Sequence, residues 1–410
     1  MPVAPLHLVI LDPGLHTHAG HHVSIVKDLG RAASASKYLL SVYSRKDIDK
    51  ELQENLTSSI SKIVPHFSCD LYQFYHNEEG DRQAYLLNLA LEYKNAIRQQ
   101  VNNVASDGFE KANNTVFLLH TVMDLQARAL NLALEALDRE GIRPKCLVLM
   151  MFHPQRSKWR SDALNKLDYS LAFKPLHHRS NVTLYASDAE IAACMAAYLR
   201  ISALPIHPAV VINSRTRQGE KDRPRQVLLY LGDAKRDKGF DQLPGMIESG
   251  LLGKYPTTEF VIQYTLTSED PVLHDAVKRL NAAKADYDNL EVIEGFVDDS
   301  EIYSMIQSSQ LMLLNYSQEE YQHKNSGVLW LAGYFNTSVI IPDNCWLYRE
   351  AQRLNLDHHV VTENGWLVAL QKALNTTETS HPLKSTETKY KLHILQPFDR
   401  WLFQVINAGM

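Results

Sequence analysis

The sequence predicts an α/β protein built from two doubly wound parallel sheets. Three observations carry this. Short continuous apolar runs, the signature of strands buried on both faces, alternate with stretches whose apolar residues recur at helical spacing. The alternation breaks once, at a Pro-rich and charged stretch near the middle, and then restarts. The chain, at 410 residues, is also too long for a single core of ordinary size.

Taken in order, the first half offers apolar strands at Leu6 to Leu11, Tyr38 to Tyr43, Thr115 to Leu119, Cys146 to Phe152 and Val182 to Tyr185. Residues 45–80 are polar and weakly patterned. From Gln83 to Val104, Leu86, Leu89, Tyr93, Ile97 and Val101 fall on one helical face. The stretch Thr121 to Asp124 reads as a cap for a helix over Leu125 to Arg139, and Ser187-Asp188-Ala189-Glu190 opens a helix to about Leu199. In the second half, strands are expected near 227–231, 259–264, 291–293, 311–314 and 338–341. Helices are expected over Gly365 to Leu374 and over Leu392 to Ile406, the latter with Phe398, Trp401, Leu402 and Val405 along one face. This gives a first domain over 1–207, joined by the C-terminal helix 392–407, a linker over 208–225, and a second domain over 226–391.

Hydrophobic content of 45% and charged content of 22% are those of an ordinary soluble globular protein. A net charge of −5 argues against nucleic acid as the main partner. The four cysteines, Cys69, Cys146, Cys194 and Cys345, are scattered, as reduced thiols are, and form neither a disulfide framework nor a zinc site. The N-terminal stretch lacks a basic leader, and no apolar run approaches the roughly 18–20 residues that span a bilayer. A cytoplasmic protein is expected, and contact with the inner face of the membrane is compatible with this.

Two stretches of the second half point to an anion. In QVLLYLGDAKRDKGF (226–240) a buried-type strand ends at Gly232 and is followed by Lys235, Arg236 and Lys238. In LMLLNYSQEEYQHKNSGVLWLAGYFNTSV (311–339) a strand leads through a Tyr-rich loop and Lys324 to Ser326-Gly327 at a helix start. A helix N-terminus offers unpaired N–H groups and a positive dipole end, glycine allows close approach, and ligands of open α/β sheets bind beyond the carboxyl ends of strands. One pyrophosphate held between the two strand ends is the expectation. Upstream, His16, His18, His21 and His22 crowd the loop after the first strand, with no helical His pair bearing a Glu and no flanking Cys, so no metal is expected. Gly20 and His21 are read as a substrate-touching loop, and His120 and His153 each follow a strand.

These stretches resemble the large retaining GT-B glycosyltransferase family that uses nucleotide-diphosphate sugars and builds surface polysaccharides. GDAKRDKGF resembles its basic diphosphate segment, and NLEVIEGFVDDSEIYSMIQSSQLMLLNYS resembles its passage around Gly295 and Tyr316. YQHKNSGVLWLA resembles its donor-facing loop and helix, and YASDAEIAACMAAYL with LPIHPAVV its last strand and helix before the linker. The resemblance implies two Rossmann-like domains facing each other across a cleft, with Gly232, Lys235, Lys238, Tyr316, Tyr321, His323, Lys324, Ser326 and Gly327 beside the donor. It implies a catalytic histidine in the first half, for which His120 and His153 are the candidates. It implies no cofactor, a nucleotide sugar as donor, and a glycan or lipid-linked hydroxyl as acceptor. Where the family carries two Glu separated by seven residues, this chain has His323 and Leu331, and Leu331 cannot accept the ribose hydrogen bonds. A GT-B protein that binds without transfer, or a sugar-nucleotide epimerase, are the alternatives.

Overall fold

The computed structural model describes residues 6–18, 20–36, 38–57, 60–74, 79–106, 114–156, 161–209, 226–377 and 388–408. The chain divides into two compact units, 1–214 with 396–410, and 215–395. The first holds β1 (His7–Leu11), β2 (Leu39–Arg45), β3 (Lys62–Phe67), β4 (Thr115–Leu119), β5 (Lys145–Met150) and β6 (Val182–Ala186), in the order β3-β2-β1-β4-β5-β6. The second holds β7 (Gln226–Asp233), β8 (Glu259–Thr265), β9 (Leu290–Glu294), β10 (Leu311–Leu313), β11 (Ser338–Pro342) and β12 (His358–Val361), in the order β12-β11-β10-β7-β8-β9. Read from its other edge, the second sheet has the same strand order as the first, and the pairs within both sheets are parallel. The doubly wound α/β architecture is thus present twice.

Why the strands read as unbroken apolar runs is visible in the packing. Along β1, Val9 and Leu11 enter one core while Leu8 and Ile10 enter another on the opposite face of the sheet. Phe117 and Leu119 of β4 alternate with Val116 and Leu118 in the same way. Both faces are covered by helices, so the positions of these strands that enter the two cores are apolar.

Several elements differ from the sequence expectation. The weakly patterned stretch over 45–80 contains a helix, Lys50–Thr57, and the edge strand β3, whose residues are mostly half-exposed and so carry little apolar signal. A helix at Asp162–His177 and the edge strand β12 were likewise not expected, and the residues of β12 are all only partly buried. The single C-terminal helix is two, Lys389–Ile394 and Phe398–Asn407, because Pro397 lacks an N–H and restrains the residue before it. Thr121 does not cap the helix Asp124–Arg139, whose N-cap position is Met123 with no side-chain cap; its hydroxyl is used elsewhere. Asp298 does cap the helix Asp299–Ser308, in a reciprocal capping box with Glu301. Most of the expected linker (residues 210–225), and residues 378–387 of the expected second domain, lie outside the described residues. Among the described residues no helix is long and apolar enough to cross a membrane.

The helix Phe398–Asn407 returns to the first unit, where Phe398, Trp401 and Leu402 are buried in the core beneath β1 and β4. The Trp401 ring meets Tyr185 edge-on at 4.9 Å and lies 5.3 Å from Phe398. Trp401→Ala should therefore destabilise the first unit by about 3–5 kcal/mol, the usual cost of truncating a buried aromatic. Chemical denaturation followed by tryptophan-independent circular dichroism would show this, and an unchanged transition would mean the helix is not part of that core.

Candidate functional site

Functional side chains of doubly wound sheets gather where neighbouring central strands send their connections to opposite sides. In the first unit that point lies between β1 and β4, and Asp12 and His120 are the first residues beyond them. The two strands pair His7 with Thr115, and continuing this register past the last pair sets Asp12 beside His120. His120 Nε2 is 2.8 Å from Asp12 Oδ2. His22 Nδ1 lies 2.8 Å from Asp12 Oδ1, and the Gly14 N–H donates to Oδ1 at 2.9 Å. The Tyr72 hydroxyl meets His22 Nε2 at 2.8 Å. Thr121 Oγ1 joins His120 Nδ1 at 3.0 Å and His21 Nε2 at 3.1 Å. Gly14 is required here, because a Cβ at that position would sit 2.3 Å from His22 Cε1.

Burial would raise the Asp12 carboxyl, but the neighbouring His22 and His120, by charge and hydrogen bonding, hold it well below the ordinary carboxylate range. Burial pushes the His21 ring well below the ordinary histidine value, and His22 and His120 add to the effect. Ring nitrogens of His21, His22 and His120 come within 4.8 Å of one another, a donor set that a transition metal can use. Both nitrogens of His22 and both of His120 already have hydrogen-bond partners.

The expected residues distribute unevenly. His120 and His21 share one network, but His120 is fully buried with both nitrogens engaged, whereas His21 is only partly buried. Gly20 precedes His21 with φ +93°, in a conformation that favours glycine. His153 follows β5 as a buried residue whose Nδ1 accepts from the Gln155 N–H. Sequence reasoning missed Asp12, Gly14, Tyr72 and Thr121. Asp12-Pro13-Gly14 at a strand end was the available signal, but nothing in the sequence joins it to His120, 108 residues away.

In the second unit the equivalent point lies between β7 and β10, and there the donor-side candidates assemble. The Lys238 Nζ lies over Gly232, 3.7 Å from where a Cβ would be, and Gly232 has φ +103°. Burial lowers the Lys238 ammonium from its ordinary value, helped by the positive charges of Lys235 and Lys324. Lys235 is exposed and paired with Asp233 at 3.2 Å. Lys324 Nζ reaches Asp237 at 2.6 Å and stands 4.5 Å from the Tyr321 ring centroid. Tyr316 and Tyr321 pack at 4.5 Å. The Ser317 N–H donates to Asp237 O at 2.7 Å, and a Cβ on Gly239 would strike Asn315 O at 2.3 Å, so the two loops are closely laced. Ser326 occupies the N-cap position of the helix Gly327–Phe335 without a side-chain cap, and the space where a Gly327 side chain would stand is open to 4 Å. His323 is half-buried on the same loop. Leu331 lies in the helix Gly327–Phe335.

This arrangement, two Rossmann-like sheets of the same strand order, is the GT-B fold. A glycosyltransferase from Rickettsia africae is similar over 98% of each chain, with a TM-score of 0.62 and 8% identity. The N-terminal domain of Candida albicans trehalose-6-phosphate phosphatase covers 99% of this chain and 97% of its own, with a TM-score of 0.58 and 9% identity. The catalytic domain of Arabidopsis thaliana starch synthase IV, a structure bound to ADP and acarbose, covers 99% of each, with a TM-score of 0.51 and 10% identity. No protein-family model and no curated protein matches the sequence.

One pH dependence follows. The unfolded chain takes up a proton on His21 near the ordinary value of about 6.5, whereas the folded ring resists it. The His21 contribution to stability is thus intact above that value and is lost as pH falls from there towards the folded value. The loss has a limiting slope of about 1.4 kcal/mol per pH unit. His21→Asn should lose less stability than the wild type between pH 7 and 5 in urea denaturation, and parallel curves would refute the assignment.

Proposed function

We propose that the protein transfers a sugar from a nucleotide-diphosphate donor to a hydroxyl acceptor. The observation that carries this is the gathering of Lys235, Lys238 and Lys324 beside Gly232 and the open first turn of the helix Gly327–Phe335. A diphosphate suits this place: three ammonium groups supply charge, the helix start supplies N–H groups, and Gly232 leaves room for close approach. As the glycosidic bond to the donor breaks, negative charge grows on the leaving diphosphate, and the same groups oppose it. The fold's likeness to a starch synthase domain that holds ADP supports a nucleotide ligand. In this reading the reaction retains configuration, needs no metal or cofactor, and serves glycan or lipid-linked acceptors in surface polysaccharide synthesis, in the cytoplasm or at its membrane face. One observation favours a second reading, binding without transfer. Leu331 and His323 stand where the resembling family grips the ribose and sugar with carboxylates.

Calorimetric titration with UDP and ADP tests the diphosphate site. Lys238→Ala should weaken binding by about 1.5–3 kcal/mol, the worth of a hydrogen bond to a charged group. Gly327→Val should block approach to the helix start, and Lys324→Ala should remove one charge, with the thermal midpoint little changed in either. Wild-type affinity in all three would place the phosphate elsewhere. A panel of nucleotide sugars, with and without glycan acceptors, separates transfer from binding alone. Turnover should survive EDTA, and loss reversed by added Mg²⁺ or Mn²⁺ would disprove metal independence.

A further inference from the structure

Of the three histidine rings in the Asp12 network, His21 is the one that is only partly buried, and the hydrogen bonds leading to it run in one direction. An ionised carboxylate only accepts, so both ring nitrogens that touch Asp12 carry protons: His22 Nδ1 and His120 Nε2, each at 2.8 Å. In the singly protonated form of His120, Nδ1 is bare and takes the Thr121 hydroxyl proton across 3.0 Å. A hydroxyl has one proton to give. Thr121 Oγ1 must therefore accept from His21 Nε2 at 3.1 Å, which places the His21 proton on Nε2 and leaves Nδ1 bare. Among the described residues, the His21 ring has no other hydrogen bond.

We propose that Asp12 is a positioning residue which, through His120 and Thr121, holds His21 in one tautomer with its bare Nδ1 turned to a substrate hydroxyl. The hydroxyl belongs to a sugar if glycosyl transfer is the reaction, and in that respect the inference rests on the proposed function. A neutral imidazole acceptor selects a neutral hydroxyl donor over a phosphate or a carboxylate. Burial keeps the ring in this neutral state. The role assigned to His120 changes accordingly: buried and engaged at both nitrogens, it transmits the orientation and does not meet substrate.

The geometry makes one substitution especially informative. Because the Gly14 N–H donates to Oδ1, Asp12→Asn must keep its oxygen there and turn its NH₂ towards His120 Nε2. His120 would then present a bare Nε2 and carry its proton on Nδ1. Thr121 would accept from His120 and donate to His21 Nε2, and the His21 proton would move to Nδ1. Two-bond ¹⁵N–¹H spectra of histidine-labelled protein at pH 8, with His21 assigned by its disappearance in His21→Gln, read this directly. The expected result is an Nε2–H tautomer in the wild type and an Nδ1–H tautomer in Asp12→Asn. Thr121→Val should release the ring into a mixture of tautomers, and Thr121→Ser should restore the single one. If Asp12→Asn does not fold, the Thr121 pair carries the test.

An Nδ1–H or doubly protonated His21 in the wild type, or a tautomer indifferent to both positions, overturns the proposal. In the nucleotide-sugar assay, Asp12→Asn and Thr121→Val should lower kcat about tenfold with KM within about twofold, as the loss of one oriented hydrogen bond would. Thr121→Ser should recover most of it. Absence of turnover in the wild type would count against glycosyl transfer, while the spectra would still decide the tautomer.

Discussion

A carboxylate with no solvent around it has to be surrounded by donors, and the first unit is arranged to supply them to Asp12. Removing such a charge from water costs several kcal/mol, which is recovered only when each lone pair is met at good geometry. Three donors converge here, the Gly14 backbone and the rings of His22 and His120. Each dictates something further out. The His22 ring needs position 14 without a side chain, and its far nitrogen needs the Tyr72 hydroxyl. His120 needs Thr121, and Thr121 in turn fixes His21. The pairing of β1 with β4 in the observed register is what allows the first of these contacts.

The second unit uses the same strand order for the opposite electrostatic purpose. Where the first point of reversal encloses a negative charge, the second collects positive ones: Lys235, Lys238 and Lys324, with Asp233 and Asp237 as internal partners. A desolvated ammonium such as that of Lys238 gains from an anion more than an exposed one does, since its hydration has already been given up. The lacing of the two loops through Asp237, Ser317, Gly239 and Asn315 holds these charges in place.

The sheets were legible in the sequence because central strands buried on both faces are predominantly apolar, so Leu8 to Leu11 and Val116 to Leu119 announce themselves. The edge strands β3 and β12 were not, since half-exposed strands are free to carry Lys62, His66, His358 and His359. In the second unit, the short range between Gly232 and Lys238, and between Lys324 and Gly327, let local spacing bring the candidates together. The first-unit network spans Asp12, Tyr72 and His120, and its members meet only through strand pairing, which one sequence does not display. Thr121 misled for a related reason: a Thr three residues before an Asp at a helix start looks like a cap, until the tertiary partners claim its hydroxyl.

The return of Phe398, Trp401 and Leu402 to the first unit carries a consequence for synthesis on the ribosome. Chains are made from the N-terminus at roughly 5–20 residues per second, and domains ordinarily close as they emerge. Here one face of the first sheet lacks its aromatic cover until residues 396–408 have been made, whereas the second unit has its sheet, β7 to β12, before then. The half that is translated first is thus the half completed last. For the tens of seconds between, at those elongation rates, Tyr185 and its apolar neighbours await their partner, a window in which a chaperone has something to hold.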